Sequence, residues 1–335
     1  MIASVAFRNF KALRNTSLAL SPFNLVIGPN GSGKTSLIQA ILRLRNLARL
    51  PLRDASVETE RRPEGAEITF RFSPPYDGLE AAMGCVSDTV CDLLQIIPLP
   101  TGEGVDDWDG LRTRLITLRS YLFDHDAIAK PALVANGTEL TSNGGNLAAV
   151  LANRRNAYPE AFLRMTVDLF RMLPEYDALD FFTHSDGTIE LRLRLVDGAD
   201  WVMADSLSQG TLYALAMLTL AFDPAPPAIV CIEEVDRGVH PRMLREIRDT
   251  LYRLSYPLET GVGRAAVQVI ATTHSPYMLD LFRDHPEEVV ITEKSGSAAR
   301  FTRLDECADL NEVLSSGSLG DLWFSGVIGG VPENK

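Results

Sequence analysis

The chain has no apolar run approaching the ~20 residues of a membrane-spanning helix. Its longest, Leu212–Phe222, is interrupted by Thr219 and reads as a buried helix. The first residues, Met1–Leu13, carry charge too early and too short an apolar stretch for a secretory leader. Sustained heptads are missing, which excludes a long coiled-coil arm, and there is no internal repeat or low-complexity segment. Cysteine is scarce. The four present, Cys85, Cys91, Cys231 and Cys307, show no paired metal-ligand spacing and are expected as reduced core thiols of a cytoplasmic protein. Positive charge is in deficit too: 32 Lys plus Arg against 44 Asp plus Glu leave a net charge of −12. That balance argues against nucleic-acid binding as a property of the whole chain. Local basic runs such as Arg154-Arg155 are expected as solvated helix faces or contacts of an inserted lid. What remains, 335 residues with 46% hydrophobic and 23% charged content, can bury a sizeable core in two domains, or in one domain with an insertion.

Against these absences stands Asn24–Ser36, NLVIGPNGSGKTS. The apolar run Leu25-Val26-Ile27 feeds a glycine-rich turn, and Gly28, Gly33, Lys34 and Thr35 fall at the spacing of a phosphate loop. Glycines suit it because the backbone must curl around phosphate with its N–H groups inward. Asn30, Gly31, Ser32, Gly33, Lys34, Thr35 and Ser36 are therefore candidate nucleotide contacts. Lys34 would reach the β/γ-phosphates and Thr35 would bind Mg²⁺. The following apolar positions predict a helix from Gly33 to about Arg49, its N-terminus facing the anion.

Three further segments gain meaning beside it. The strand Ala228–Ile232 runs into Glu233-Glu234. Two carboxylates there are costly unless they bind something: Glu233 would hold Mg²⁺ and Glu234 would polarise the attacking water. Taken alone, they could equally be a strand running into a solvated acidic turn. Leu207-Ser208-Gln209-Gly210-Thr211 opens an apolar helix, and Ser208 there is either an anion contact or an ordinary serine cap. Another apolar strand ends in Thr272-Thr273-His274-Ser275-Pro276, where His274 could donate to a γ-phosphate.

In this order the motifs resemble those of ABC-type ATPases, and most closely the RecF/SMC-like and OLD-like branch often labelled as AAA proteins. Phe7–Lys11, Gly28–Ser36, Leu207–Thr211, Ile232–Pro241, Thr272–Leu279 and Gly320–Gly326 carry the match. The resemblance implies a catalytic set of Lys34, Glu234 as general base and His274 as switch histidine. It implies Thr35 and Glu233 as metal ligands, and Ser208, Gln209 and Gly210 as a signature turn that completes the site of a second subunit, with Asp236 at the interface. The cofactors implied are ATP and Mg²⁺. Two departures stand out: Glu233 replaces the usual aspartate, and the signature reads LSQG rather than LSGGQ. Gln95 is a weak candidate for a glutamine loop.

The fold class expected is α/β, a P-loop NTPase of ABC-ATPase type, with a mostly parallel sheet core, an N-terminal antiparallel β lobe and an inserted helical lid. The pattern divides as 1–72 (N-terminal lobe), 73–177 (mostly helical insertion) and 178–335 (C-terminal lobe). The resemblance implies a small stand-alone form without a fused nuclease domain. It would be an ATP-dependent homodimer, acting as a nucleotide-driven switch in DNA maintenance or phage defence. The alternative is an ATP-gated regulatory or scaffold subunit that controls a separate effector, a nuclease or toxin, with slow or no turnover. DNA stays open as a partner against the unfavourable net charge, and a membrane is not expected.

Overall fold

The computed structural model describes residues 1–51, 65–87, 89–99, 107–198, 200–259, 264–308 and 310–330. In chain order, β1 (Ile2–Phe10) and β2 (Leu13–Ala19) form a hairpin, and β3 (Phe23–Ile27) leads into α1 (Lys34–Ala48). Then come β4 (Ala66–Phe72), β5 (Leu79–Cys85), β6 (Cys91–Pro98), α2 (Trp108–Leu115) and β7 (Arg119–Tyr121). Next are α3 (His125–Ile128), β8 (Ala132–Leu133), α4 (Leu147–Ala157), α5 (Pro159–Met172), β9 (Tyr176–Thr183), β10 (Thr188–Leu195), β11 (Trp201–Met203) and α6 (Gln209–Ala221). The last third holds β12 (Ile229–Ile232), α7 (Leu244–Ser255), β13 (Gln268–Thr273), α8 (Pro276–Asp280), β14 (Val289–Ser295), β15 (Ala298–Arg303), α9 (Leu310–Ser316) and α10 (Leu319–Phe324). The chain divides into two compact units, one of Met1–Ser120, Pro227–Val235 and Ala265–Lys335, the other of Tyr121–Pro226 and Asp236–Arg264.

The first unit contains a five-stranded antiparallel sheet, β2-β1-β4-β5-β6, and a six-stranded sheet in the order β15-β14-β3-β13-β12-β7. In the latter, β14, β3, β13 and β12 are parallel neighbours and β15 is antiparallel to β14. Every residue of β3, β12 and β13 is buried, and each strand carries a continuous apolar stretch, Leu25–Ile27, Ile229–Ile232 and Val269–Ala271, as strands covered on both faces do. β1 instead alternates, burying Val5, Phe7 and Phe10. Between the sheets α1 turns Leu37, Ile38, Ile41 and Leu44 into one apolar cluster with Phe10, Val26, Cys231 and Ile270, the spacing of an amphipathic helix.

The segment 73–177, expected to be mostly helical, begins with strands. β5 continues the antiparallel sheet beside β4, and β6 beside β5. Helix-favouring Ala81, Ala82 and Met83 lie in β5, where pairing and burial decide the conformation over local propensity. α2 also belongs to this unit, burying Leu111 and Leu115 in its core. The expectation of four reduced thiols is corrected here: Cys85 and Cys91 form a disulfide. The register of β5 and β6 sets the two residues opposite each other. Cys231 and Cys307 are free. Burial, with Glu233 adding to it, pushes the Cys231 thiol up to about 12.

In the second unit β10 pairs antiparallel with β9, β8 and β11. The hairpin expected across Ser185-Asp186-Gly187 is β9–β10, with Thr188 N–H donating to Asp186 Oδ1 at 2.9 Å. α6 is buried from Gly210 to Ala221, each enclosed leucine contributing about 1.5–3 kcal/mol. α7 is one-sided, burying Leu244, Ile247, Leu251 and Leu254. Arg154 is not on a solvated face. It is buried, donating to the Thr219 carbonyl and pairing with Asp223 at 2.7 Å, because a buried guanidinium must be matched by charge and acceptors. Among the described residues no helix is long and apolar enough to cross a membrane.

Candidate functional site

Three adjacent parallel strands of the first unit end on one edge. Ile27 lies opposite Thr273, and Ile232 opposite Ala271. The residues that follow, Gly28, Glu233 and His274, therefore leave the carboxyl edge of the sheet together, where open α/β folds bind ligands.

α1 starts behind Gly33, which is left-handed at φ +104° and offers no side chain to the helix. Its first N–H groups thus point out without a side-chain cap, a ready anion site. Lys34 is 7% exposed. Its Nζ donates to the Gly28 and Pro29 carbonyls at 2.7 and 2.8 Å, so it is folded onto the loop it belongs to. Burial lowers its pKa to about 8, with nearby Glu234 acting in the opposite direction. Thr35 Oγ1 donates to Glu233 Oε2 at 3.0 Å, across 198 residues of sequence. A hydroxyl and a carboxylate are the hard oxygen ligands Mg²⁺ takes. Among the described residues no three His, Cys, Asp or Glu gather as a metal cluster. This pair therefore fits an ion whose remaining ligands are phosphate oxygens and water. Asn30 and Gly31 are exposed at the loop tip, Ser36 is half-buried and Ser32 is buried.

Glu234 is the one residue of the pair with strained backbone: its φ is +51°. Its N–H donates to Thr272 Oγ1 at 3.0 Å and the Val235 N–H to the Thr272 carbonyl at 2.9 Å. The end of β13 thus holds this turn in shape against a cost of about 1–3 kcal/mol, with the carboxylate exposed. His274 is also exposed, one residue past β13. After it, Ser275 caps α8 by accepting from the Met278 N–H at 3.2 Å.

Ser208, Gln209 and Gly210 belong to the second unit. Ser208 is exposed and is the N-cap of α6, accepting from the Thr211 N–H at 3.1 Å. The Gln209 amide donates to Tyr213 at 3.1 Å. Gly238 and Val239 pack on this turn: a Cβ at Gly238 (φ +65°) would fall 2.3–2.5 Å from the Gln209 side chain, so only glycine fits. The weak candidate Gln95 lies inside β6 opposite Ala82, in a strand rather than a loop.

One contact of the phosphate loop was invisible in the motifs. Thr292, at the end of the apolar run Val289–Ile291, bonds to Ser32 and to the Ile27 carbonyl. The only sequence signal was a polar residue closing an apolar strand.

A family model described as an AAA domain, putative AbiEii toxin of a type IV toxin–antitoxin system, matches residues 103–280, more than half of the chain. One described as an AAA ATPase domain matches residues 1–75. The OLD nuclease of Thermus scotoductus is 34% identical over 84 residues, 23% of this chain and 15% of that protein. The DNA replication and repair protein RecF of Erwinia tasmaniensis is 46% identical over 44 residues, 13% of this chain and 12% of that protein. The matched stretches are thus a small part of either relative's length. Among solved structures, an SMC head bound to the C-winged helix domain of ScpA superposes with a TM-score of 0.56 at 13% identity, covering 90% of this chain and 96% of that one. The SMC head of Thermotoga maritima gives 0.50 at 14% identity, covering 90% and 98%. At these identities the likeness is one of fold.

Proposed function

The chain belongs to the AAA-domain family described as putative AbiEii toxin of a type IV toxin–antitoxin system, and on that premise we propose that it binds MgATP at Gly28–Ser36 and hydrolyses it between two copies of the chain. The observation that carries this reading is the Thr35–Glu233 contact at the sheet edge, beside a helix whose N-terminus has no side-chain cap.

Lys34 and the N–H groups of Asn30–Ser36 take the phosphates, and Lys34 exchanges its two loop carbonyls for phosphate oxygens. Thr35 and Glu233 hold Mg²⁺, which when bound neutralises charge on the β- and γ-phosphates. Glu234 accepts the proton of the attacking water, its strained backbone aiming the carboxylate out from the sheet edge. His274 donates to the γ-phosphate. Ser208, Gln209 and Gly210 of the second copy close the site through charge-assisted hydrogen bonds. Loss of the γ-phosphate removes those contacts, so the two copies separate: a switch driven by differential contacts in two states. OLD nuclease and RecF among the relatives favour a role in DNA maintenance or phage defence. The toxin–antitoxin description of the family favours a second reading, an ATP-gated subunit that controls a separate effector.

The test is the solution mass of Glu234→Gln with and without MgATP. A monomer that becomes a dimer only with nucleotide supports the shared site. An unchanged mass with ATP bound leaves the phosphate loop standing and removes Ser208 from it.

A further inference from the structure

β14 runs parallel to β3 with Ile291 opposite Ile27, which sets Thr292 against the first turn of the phosphate loop. The Thr292 side chain is fully buried, as is Ser32. Thr292 Oγ1 is within hydrogen-bonding distance of both the Ile27 carbonyl (3.2 Å) and Ser32 Oγ, and shares its single proton between these two acceptors. Ser32 in turn donates to the Pro29 carbonyl at 2.8 Å. Between these contacts the backbone at Gly28 rests directly on the threonine. A Cβ there would fall 2.2 Å from Thr292 Oγ1 and 2.3 Å from the Thr292 carbonyl oxygen. One hydroxyl therefore touches the residue before the loop, the loop's first glycine and a serine just past its tip.

The strand that carries it is itself fastened. Glu293 accepts from the Gly330 N–H at 3.1 Å, and the Gly330 carbonyl accepts from the Trp323 indole at 3.0 Å. The C-terminal turn thus braces the next residue along β14.

We propose that Thr292 is a positioning residue of the phosphate site: its hydroxyl clamps the two stems of the Gly28–Ser32 turn in the shape that receives phosphate. The inference rests on the reading of this loop as the nucleotide site. A loop already held in its binding shape pays little ordering cost when the ligand arrives. Taking the clamp away raises that cost equally for the bound ground state and the transition state, so affinity falls while turnover at saturation does not.

The experiment compares Thr292→Ser with Thr292→Ala. Both lose the methyl group, and they differ only in the hydroxyl. MgATP and MgADP dissociation constants are measured by calorimetry, alongside KM, kcat and thermal unfolding of the nucleotide-free proteins. Thr292→Ser is expected within about twofold of the unaltered protein. Thr292→Ala is expected roughly five- to thirty-fold weaker for both nucleotides, the range of one lost hydrogen bond, with kcat unchanged. Equal affinities for the two variants overturn the proposal, and so does a loss confined to kcat. Should Thr292→Ala fail to fold, Thr292→Val replaces it as the variant without the hydroxyl, judged by the same criteria. If the unaltered protein binds no MgATP, the nucleotide reading falls and this proposal with it, an outcome distinct from equal affinities in the two variants.

Discussion

α1 and α6 both begin where a phosphate would be stabilised, yet they begin in opposite ways. α1 follows Gly33, and no side chain occupies its first N–H groups. α6 follows Ser208, whose oxygen already accepts the Thr211 N–H and lies 2.8 Å from the Thr211 hydroxyl. Both helix ends have the same dipole. What separates them is whether the chain consumes its own donors. The α1 end has no side-chain partner for its donors, which suits it to the anion proposed there, and a buried ammonium lies beside it. The α6 end is satisfied locally and has one exposed hydroxyl to offer. A turn of the second kind gains a ligand only when another surface brings one to it, which is the role proposed for Ser208 across two copies.

The largest break of this comparison comes from the α1 side. Glu234→Gln is expected to lower hydrolysis on the order of 10²–10⁴-fold while ATP still binds, measured by phosphate release and equilibrium titration. A matching loss of ATP binding would show that Glu234 shapes the site rather than serving as its base. Next, Lys34→Ala should weaken ATP by roughly 10–100-fold, the value of a charge-assisted hydrogen bond. Ser208→Ala should leave ATP binding to a single chain unchanged, and calorimetry on both variants shows whether the two turns differ as described.

A third test uses pH. The Lys34 ammonium is held at about 8 by burial. As pH rises through that value the free protein loses the charge that meets the phosphates, so ATP affinity falls, approaching tenfold per unit. Nothing in Ser208–Thr211 titrates, so the α6 turn contributes no such slope. Stability moves the other way. Between about 8 and the ordinary value of 10.5 the unfolded chain holds the proton that the folded one has released, so unfolding becomes harder as pH rises across that window. An affinity flat from pH 7 to 9.5 would contradict the assignment of Lys34. The smallest effect is the cap itself: Ser208→Ala should cost about 1 kcal/mol in denaturant unfolding. No cost would mean that the α6 turn is not held by its own serine.

Legibility followed the distance over which each feature is built. The phosphate loop and α1 lie in consecutive residues, and β12 with Glu233-Glu234 could be read as a buried strand ending in acid. α6 was legible because its apolar run has no polar face, and β9–β10 because a turn sequence joins two strands. The strands β5 and β6 were not. Their alanines and half-buried positions have no strong period of their own, and pairing with β4 made them strands. The same pairing brought Cys85 and Cys91 together as a disulfide, where spacing alone suggested two separate thiols.

The sequence by itself determined the phosphate loop, the order of its partner motifs and the apolar strands that deliver them, because each is encoded by neighbours in the chain. Tertiary structure alone decided that Thr272 holds Glu234 in a left-handed turn and that Thr292 lies under Gly28. Those contacts depend on which strands lie side by side, and parallel strands are joined by crossovers rather than by turns. Residues hundreds of positions apart then share one sheet edge, a proximity that leaves no mark in either local sequence.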